Sequence, residues 1–277
     1  MTRLFALADL HLSLSGEKPM DIFGEAWRDH PERMAATWDG LVEPEDTVLL
    51  PGDLSWARKL EEARADLAWI GARPGRKLLL RGNHDSWWPG PRALREALPA
   101  GCEALHNDGH RVGEWVIVGA RGWTAPGDPA ATEHDAVLFR RELERLRMSI
   151  ADADRRFGRD LPRLAMLHFP PWVEGHAPTP VVELLSRAGV RVCVYGHLHG
   201  DDHRFAITGE RDGIRYHFVA ADATGFAPAL ILETTAIGSD AGGSLAAHPP
   251  GEARLARAPP PREGGSAPGG ARRRSPP

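Results

Sequence analysis

Residues 78–88 read LLLRGNHDSWW. The leucines at 78–80 leave no polar position for solvent, so the run reads as a strand buried on both faces of a sheet. It ends at Gly82 and then delivers Asn83, His84 and Asp85, side chains that are costly to bury without a partner. Ligands of an open α/β sheet bind in the crevice beyond the carboxyl ends of its strands. A buried strand that finishes in Asn, His and Asp therefore points to a site at that end of the sheet.

The same pattern recurs along the chain. RLFALAD (3–9) leads to Asp9 and His11, TVLLPGD (47–53) ends in Asp53, RLAMLHF (163–169) contains His168, and RVCVYGH (191–197) leads to His197 and His199. WVIVGA (115–120), YHFVA (216–220) and ALILE (229–233) read as further strands. Between them, Leu60, Ala63, Leu67 and Ile70 recur at helical spacing, as do Phe139, Leu143, Leu146 and Ile150. Pro31, Glu61 and Glu62 suit the first turns of helices. Strands alternating with helices predict a layered α/β domain, and two final strands with no helix between them make its sheet mixed.

The chain has 277 residues, 42% of them apolar, enough for a sizeable core, and residues 1–235 read as one domain. Residues 236–277 turn to Gly, Ala, Pro, Ser and Arg and predict a disordered tail. The last part of that tail, residues 251–277, holds six arginines against Glu252 and Glu263, and the tail reads as a solvated segment before it reads as a nucleic-acid arm. The net charge of −4 offers no general attraction to nucleic acid or to an anionic membrane. Two distant cysteines, Cys102 and Cys193, indicate neither a disulfide framework nor a thiolate zinc site. With no signal-peptide pattern and no run of roughly 20 apolar residues, the expected location is the cytoplasm.

On a continuing strand, Asp9 and His11, and likewise His197 and His199, would share a face, so each pair can grip one metal or two neighbouring ones. Gly52, Gly82 and Gly196 each precede the first polar group of a motif, where a missing Cβ lets the chain turn or approach an ion.

Taken in order, DLH, GD, GNHD, a lone His after an apolar strand and GHLH resemble the calcineurin-like metallophosphoesterase superfamily over roughly residues 4–199. The resemblance implies a four-layer αββα sandwich with two mixed sheets and a two-metal site. It assigns Asp9, His11 and His199 to one metal and Asn83, His168 and His197 to the other, with Asp53 bridging them. It also implies phosphomonoester or phosphodiester hydrolysis of a small substrate, a nucleotide being one such, by a hydroxide held between the metals. Carboxylate, imidazole and amide donors without thiolate suit Mn²⁺ first, with Fe or Zn as alternatives, and two metals about 3.5–4 Å apart can activate water for in-line displacement.

In the family His84 serves the leaving group, and its place beside Asn83 on an extended chain would turn it toward the open side. Asp85 is then the residue expected to orient that imidazole. Trp87, Trp88, Trp123 and Trp172 either line the crevice, Trp87 or Trp88 first, or pack in the core. Residues 13–30, with Met20, Phe23 and Trp27, form either a substrate wall or a packed surface loop. Arg81 either meets phosphate or points away. His203 apart, the histidines outside the motifs read as surface or loop groups.

The LSWAR segment after Asp53 departs from the serine/threonine protein-phosphatase branch of the superfamily, whereas HFPPW resembles a segment of its bacterial cyclic-nucleotide phosphodiesterases. A nuclease is the first rival, opposed by the acidic core composition; a metal-binding scaffold without catalysis is the second, opposed by the complete donor set. GxSxG, HExxH and GxxxxGK[ST] patterns are absent.

Overall fold

The computed structural model describes residues 2–16, 18–173 and 178–234, all within one compact unit, Met1–Gly238. The expected tail, with His248, and also His176 lie outside the described residues. Each apolar run forms the strand its sequence predicts. In chain order the elements are β1 (Thr2–Ala6), α1 (His30–Leu41), β2 (Thr47–Pro51), α2 (Leu60–Ala72), β3 (Arg76–Leu80), α3 (Pro91–Ala97) and β4 (Cys102–Ala104). There follow β5 (His110–Val112), β6 (Trp115–Ala120), α4 (Glu133–Phe157), β7 (Arg163–Leu167), α5 (Pro180–Arg187), β8 (Val190–Tyr195), β9 (Gly209–Arg211), β10 (Ile214–Phe218) and β11 (Ala229–Thr234).

Two sheets result. The first runs β11-β1-β2-β3-β4, parallel except for β11; the second runs β5-β6-β7-β8-β10-β9, parallel except for β5 and β9. Alternation along each strand then decides the layers. Leu4, Ala6, Leu49, Leu78 and Leu80 form one apolar cluster with Ile117, Leu164, Met166, Val192 and Val194, so the sheets pack on each other. Phe5, Val48, Leu50 and Leu79 join Trp38, Leu67 and Ile70 of α1 and α2. Val118, Ala165, Leu167, Cys193 and Tyr195 join Phe139, Leu143 and Leu146 of α4 and Leu185 of α5. The order is helix, sheet, sheet, helix, the four-layer sandwich that the resemblance implies, and β2, β3, β6 and β7 are buried on both sides.

Helix ends obey local chemistry. Thr132 caps α4 by accepting from Asp135 N, and Asp135 reaches back to the Thr132 amide, a capping box. Pro31, Pro91 and Pro180 stand in the first turns of α1, α3 and α5, where an amide hydrogen has no helical partner to lose. Among the described residues no helix is long and apolar enough to cross a membrane.

Register brings the strand ends level. Pro51 pairs with Leu80 and Ala120 with Leu167, so both sheets release their loops on one side of the molecule. The two ends are stitched together there: His168 Nδ1 lies 2.9 Å from the Pro51 carbonyl, and His197 N donates to Asp9 Oδ2 at 2.9 Å.

Candidate metal centre

Past β1 the chain does not continue as a strand. Asp9 and His11 take φ of 60° and 44°, Asp53 takes 53° and His197 takes 79°. The shared-face geometry expected for Asp9 with His11 and for His197 with His199 is therefore not what brings them together; tight left-handed turns are. A non-glycine residue in this region costs on the order of 1 kcal/mol or more, and such residues cluster at functional sites. Backbone bonds hold the turns in place: Asp9 N donates to Gly52 O and His11 N to Asp53 O, each at 2.9 Å.

Gly52 makes the turn expected of it, at φ 91°, but Gly82 and Gly196 serve a different purpose. A Cβ on Gly82 would lie 2.0 Å from Asp53 Oδ1, and one on Gly196 would lie 2.1 Å from Asp9 Oδ2. Their bareness makes room for the carboxylates of neighbouring loops, not directly for an ion.

All seven residues expected to bind metal converge. Donor atoms of Asp9, His11 and His199 lie within 4.8 Å of one another, with 3.1 Å between the two Nε2 atoms and 3.6 Å from His199 Nε2 to Asp9 Oδ1. Opposite them, Asn83 Oδ1 lies 2.7 Å from His168 Nε2 and 3.0 Å from His197 Nδ1. Asp53 Oδ2 stands between the groups, 3.8 Å from His11 Nε2 and 3.4 Å from His168 Nε2.

The donor set fits divalent cations. Asp9 Oδ1 is buried and has no hydrogen-bond partner among the described residues. His168 faces a carbonyl through Nδ1, which must then carry the proton, leaving the lone pair of Nε2 aimed at the oxygens of Asn83 and Asp53. Lone pairs that converge in this way need positive charge between them. The same demand shows in the electrostatics: burial opposes charge on His168, yet Asp53 and Asp9 push its pKa up to about 9. Burial would likewise raise the Asp53 carboxyl, but His168, His11 and His84 hold it well below the usual range.

Asp222, absent from the expected set, completes the site. Its Oδ1 lies 3.0 Å from His199 Nδ1, while Oδ2 accepts from Gly200 N at 3.0 Å and lies 3.0 Å from His203 Nε2. A carboxylate cannot donate here, so His199 Nδ1 carries the proton and Nε2 turns its lone pair toward Asp9 and His11. Asp222 follows β10 as Asp53 follows β2, an acidic residue just beyond an apolar run, and that was the available signal.

Asp85 does not orient His84. Its buried carboxylate accepts from Gly82 N at 2.8 Å, Leu54 N at 2.9 Å, Ser55 N at 3.1 Å and Trp87 Nε1 at 3.0 Å, so it braces the loops that carry Asn83 and Asp53. Burial first, then the Asp53 charge, push its pKa up to about 6. Trp87 and Trp88 are core residues, not crevice walls, and Arg81 turns back onto the Asp85 carbonyl. His30, whose sequence reads as a surface or loop group, is buried, with its ring nitrogens on the Trp27 and Leu10 carbonyls.

The rim belongs instead to Trp56 and Trp27. Trp56 stacks on His11 at 4.9 Å and meets His84 at 4.3 Å; Trp27 stands edge-on to His11 and His199. Within 13–30, Trp27 and Met20 are buried while Ile22 and Phe23 are exposed, so the segment is part wall and part surface. His84 remains on the open side, its side chain 42% exposed and Nε2 3.9 Å from Asp53 Oδ2. It does not point away from the metal donors as an extended chain would require, because its own amide is tied to Asp53 Oδ1 at 2.8 Å.

Residues 2–201 match the family model described as calcineurin-like phosphoesterase. Two curated relatives are the Gene 66 proteins of Mycobacterium phages L5 and D29, 34% identical over 89 residues and 36% identical over 85 residues. These matches cover 32% and 31% of this chain and 42% and 41% of the relatives, so the chain spans about two fifths of their length. A solved structure, the phosphopantetheinyl hydrolase of Mycobacterium tuberculosis, is similar at a TM-score of 0.49 and 16% identity, over 86% of this chain and 99% of that one. The family model spans most of the described residues and takes in each loop of the donor set: the chain belongs to the calcineurin-like phosphoesterase family.

Proposed function

We propose that this protein hydrolyses the phosphoester bond of a small-molecule substrate, using two divalent ions held on either side of Asp53, with Mn²⁺ the first candidate. The position of Asp53 Oδ2 between His11 and His168 carries this reading, since one carboxylate oxygen shared by two imidazole-rich groups suits a bridging ligand. Bound there, such ions lower the pKa of water and neutralise charge on phosphoryl oxygens.

The chain's own groups do the positioning. Asp222 and the Pro51 carbonyl fix the tautomers of His199 and His168, and backbone bonds hold Asp9 and His11 in strained turns. His84, on the open side, hydrogen-bonds a phosphoryl oxygen or gives a proton to the departing alkoxide. Trp56 limits where that imidazole can swing.

The test is reconstitution. Chelator-stripped protein is reloaded with Mn²⁺, Fe²⁺ or Zn²⁺ and assayed on aryl monoesters, aryl diesters, cyclic nucleotides, nucleoside diphosphates and single-stranded DNA, with metal content measured in parallel. Turnover of a small ester at two metals per chain is expected. A single metal at full activity overturns the dinuclear reading, and turnover confined to polynucleotide with a steep loss in salt overturns the small-substrate reading.

A further inference from the structure

Beside the metal centre lies a cavity of about 610 Å³, and the two share a wall. His197 supplies Nδ1 to the Asn83 group and also lines the cavity, where Phe169 stacks on its ring at 3.9 Å and 28°. His197 thus serves the donor cluster and the cavity at once.

The lining has a definite chemistry. Trp123 spends its indole N–H on Asp135 at 2.8 Å, and so offers the cavity only its apolar ring, 4.9 Å from Phe169. Trp172 and Phe205 extend the aromatic surface. The charged members of the wall are Asp128 and Asp202; no lysine or arginine lines it among the described residues. A second phosphate or a carboxylate would meet two acids there and no lining lysine or arginine among the described residues, Arg121 and Arg211 being stacked on the Trp123 and Trp172 rings, whereas an uncharged apolar group would find flat rings. The volume falls within the roughly 300–1,000 Å³ typical of small-molecule sites, so it holds more than a single ring.

We infer that the substrate is a phosphoester of an uncharged, flat apolar alcohol, about the size of a fused bicycle, whose organic group sits in this cavity. The inference rests on the phosphohydrolase reading above and adds the substrate class to it. In the reaction, an oxygen from water bonds to phosphorus, the bond from phosphorus to the alcohol oxygen breaks, and the alkoxide takes up a proton.

Binding to the Mn²⁺-loaded full chain tests the assignment without relying on turnover. By calorimetry, 2-naphthylmethylphosphonate should bind roughly tenfold or more tightly than ethylphosphonate, from the extra apolar surface buried. Ala130→Trp, which fills the cavity from an exposed loop, and Phe205→Ala, which strips one wall, should each shrink that ratio at least about threefold. A carboxylate added to the far side of the naphthyl ring should weaken binding, and Asp202→Asn should recover part of the loss. Equal affinity for the two phosphonates, or a ratio untouched by both variants, overturns the cavity assignment while leaving the phosphohydrolase reading in place. Failure to bind either phosphonate or to hydrolyse any ester overturns both.

Discussion

Asp222 Oδ1 accepts a hydrogen bond from His199 Nδ1 at 3.0 Å, and this one bond decides which nitrogen of His199 faces Asp9 and His11. Outer partners of this kind typically contribute about 10–100-fold to metal affinity. Asp222→Ala should therefore weaken Mn²⁺ binding by roughly that factor in a calorimetric titration. Asp222→Asn should fall between, because an amide oxygen can serve His199 or Gly200 but not both. Wild-type affinity in the alanine variant would show that His199 needs no such partner.

His84 separates metal holding from turnover. Its backbone amide, not its ring, bonds Asp53, so His84→Ala leaves that bond available. Metal content should be unchanged while kcat falls about 10²–10⁴-fold, the usual contribution of a positioned acid. A variant that keeps both its metals and its kcat would remove His84 from the chemistry.

Asp85 accepts four N–H groups in a buried setting, and the variant to make is Asp85→Asn. One acceptor oxygen becomes an NH₂ facing a donor, at a cost of about 1–3 kcal/mol for a buried unsatisfied group. Urea unfolding should show that loss, and metal affinity should fall with it, since Leu54 and Gly82 adjoin Asp53 and Asn83. A stable variant with poor turnover would return Asp85 to a direct role in the reaction.

The sandwich was legible because its central strands are covered on both sides, which leaves unbroken apolar runs such as VLL at 48–50. The three-residue strands β4, β5 and β9 left no such trace: CEA, HRV and GER are too short for periodicity, and each lies at a sheet edge. The metal donors were legible because each sits just past an apolar run. The orienting role expected of Asp85 fails because adjacency to His84 says nothing of direction; its carboxylate turns inward to amides that no local pattern announces. Trp56 carries no local sign of being a wall for the same reason, since its partners His11 and His84 are distant in sequence.

The edges of the two sheets are joined by a titrating contact. His110 of β5 lies 3.2 Å from Glu103 of β4, which also pairs with Arg76 of β3 at 2.7 Å. The His110 hydrogen bond and then Arg76, working against partial burial, bring the Glu103 pKa down from 4.5 to about 2. A depressed carboxyl contributes stability that is full above its unfolded pKa and disappears as pH falls through the folded one, so the Glu103 contribution should fade between about pH 4.5 and 2. His110 has the opposite sign: burial opposes its charge, but Asp108 and Glu103 raise it above 6.5, so its contribution is full below pH 6.5 and is lost as pH rises through the raised value. Urea midpoints of wild type and Glu103→Gln should accordingly differ most near pH 5–6, where both groups are charged, converge toward pH 2, and narrow without converging on the alkaline side, where the His110 share is lost but Arg76 still pairs with Glu103. A difference that stayed constant across that range would mean that packing, not charge, couples the two edges.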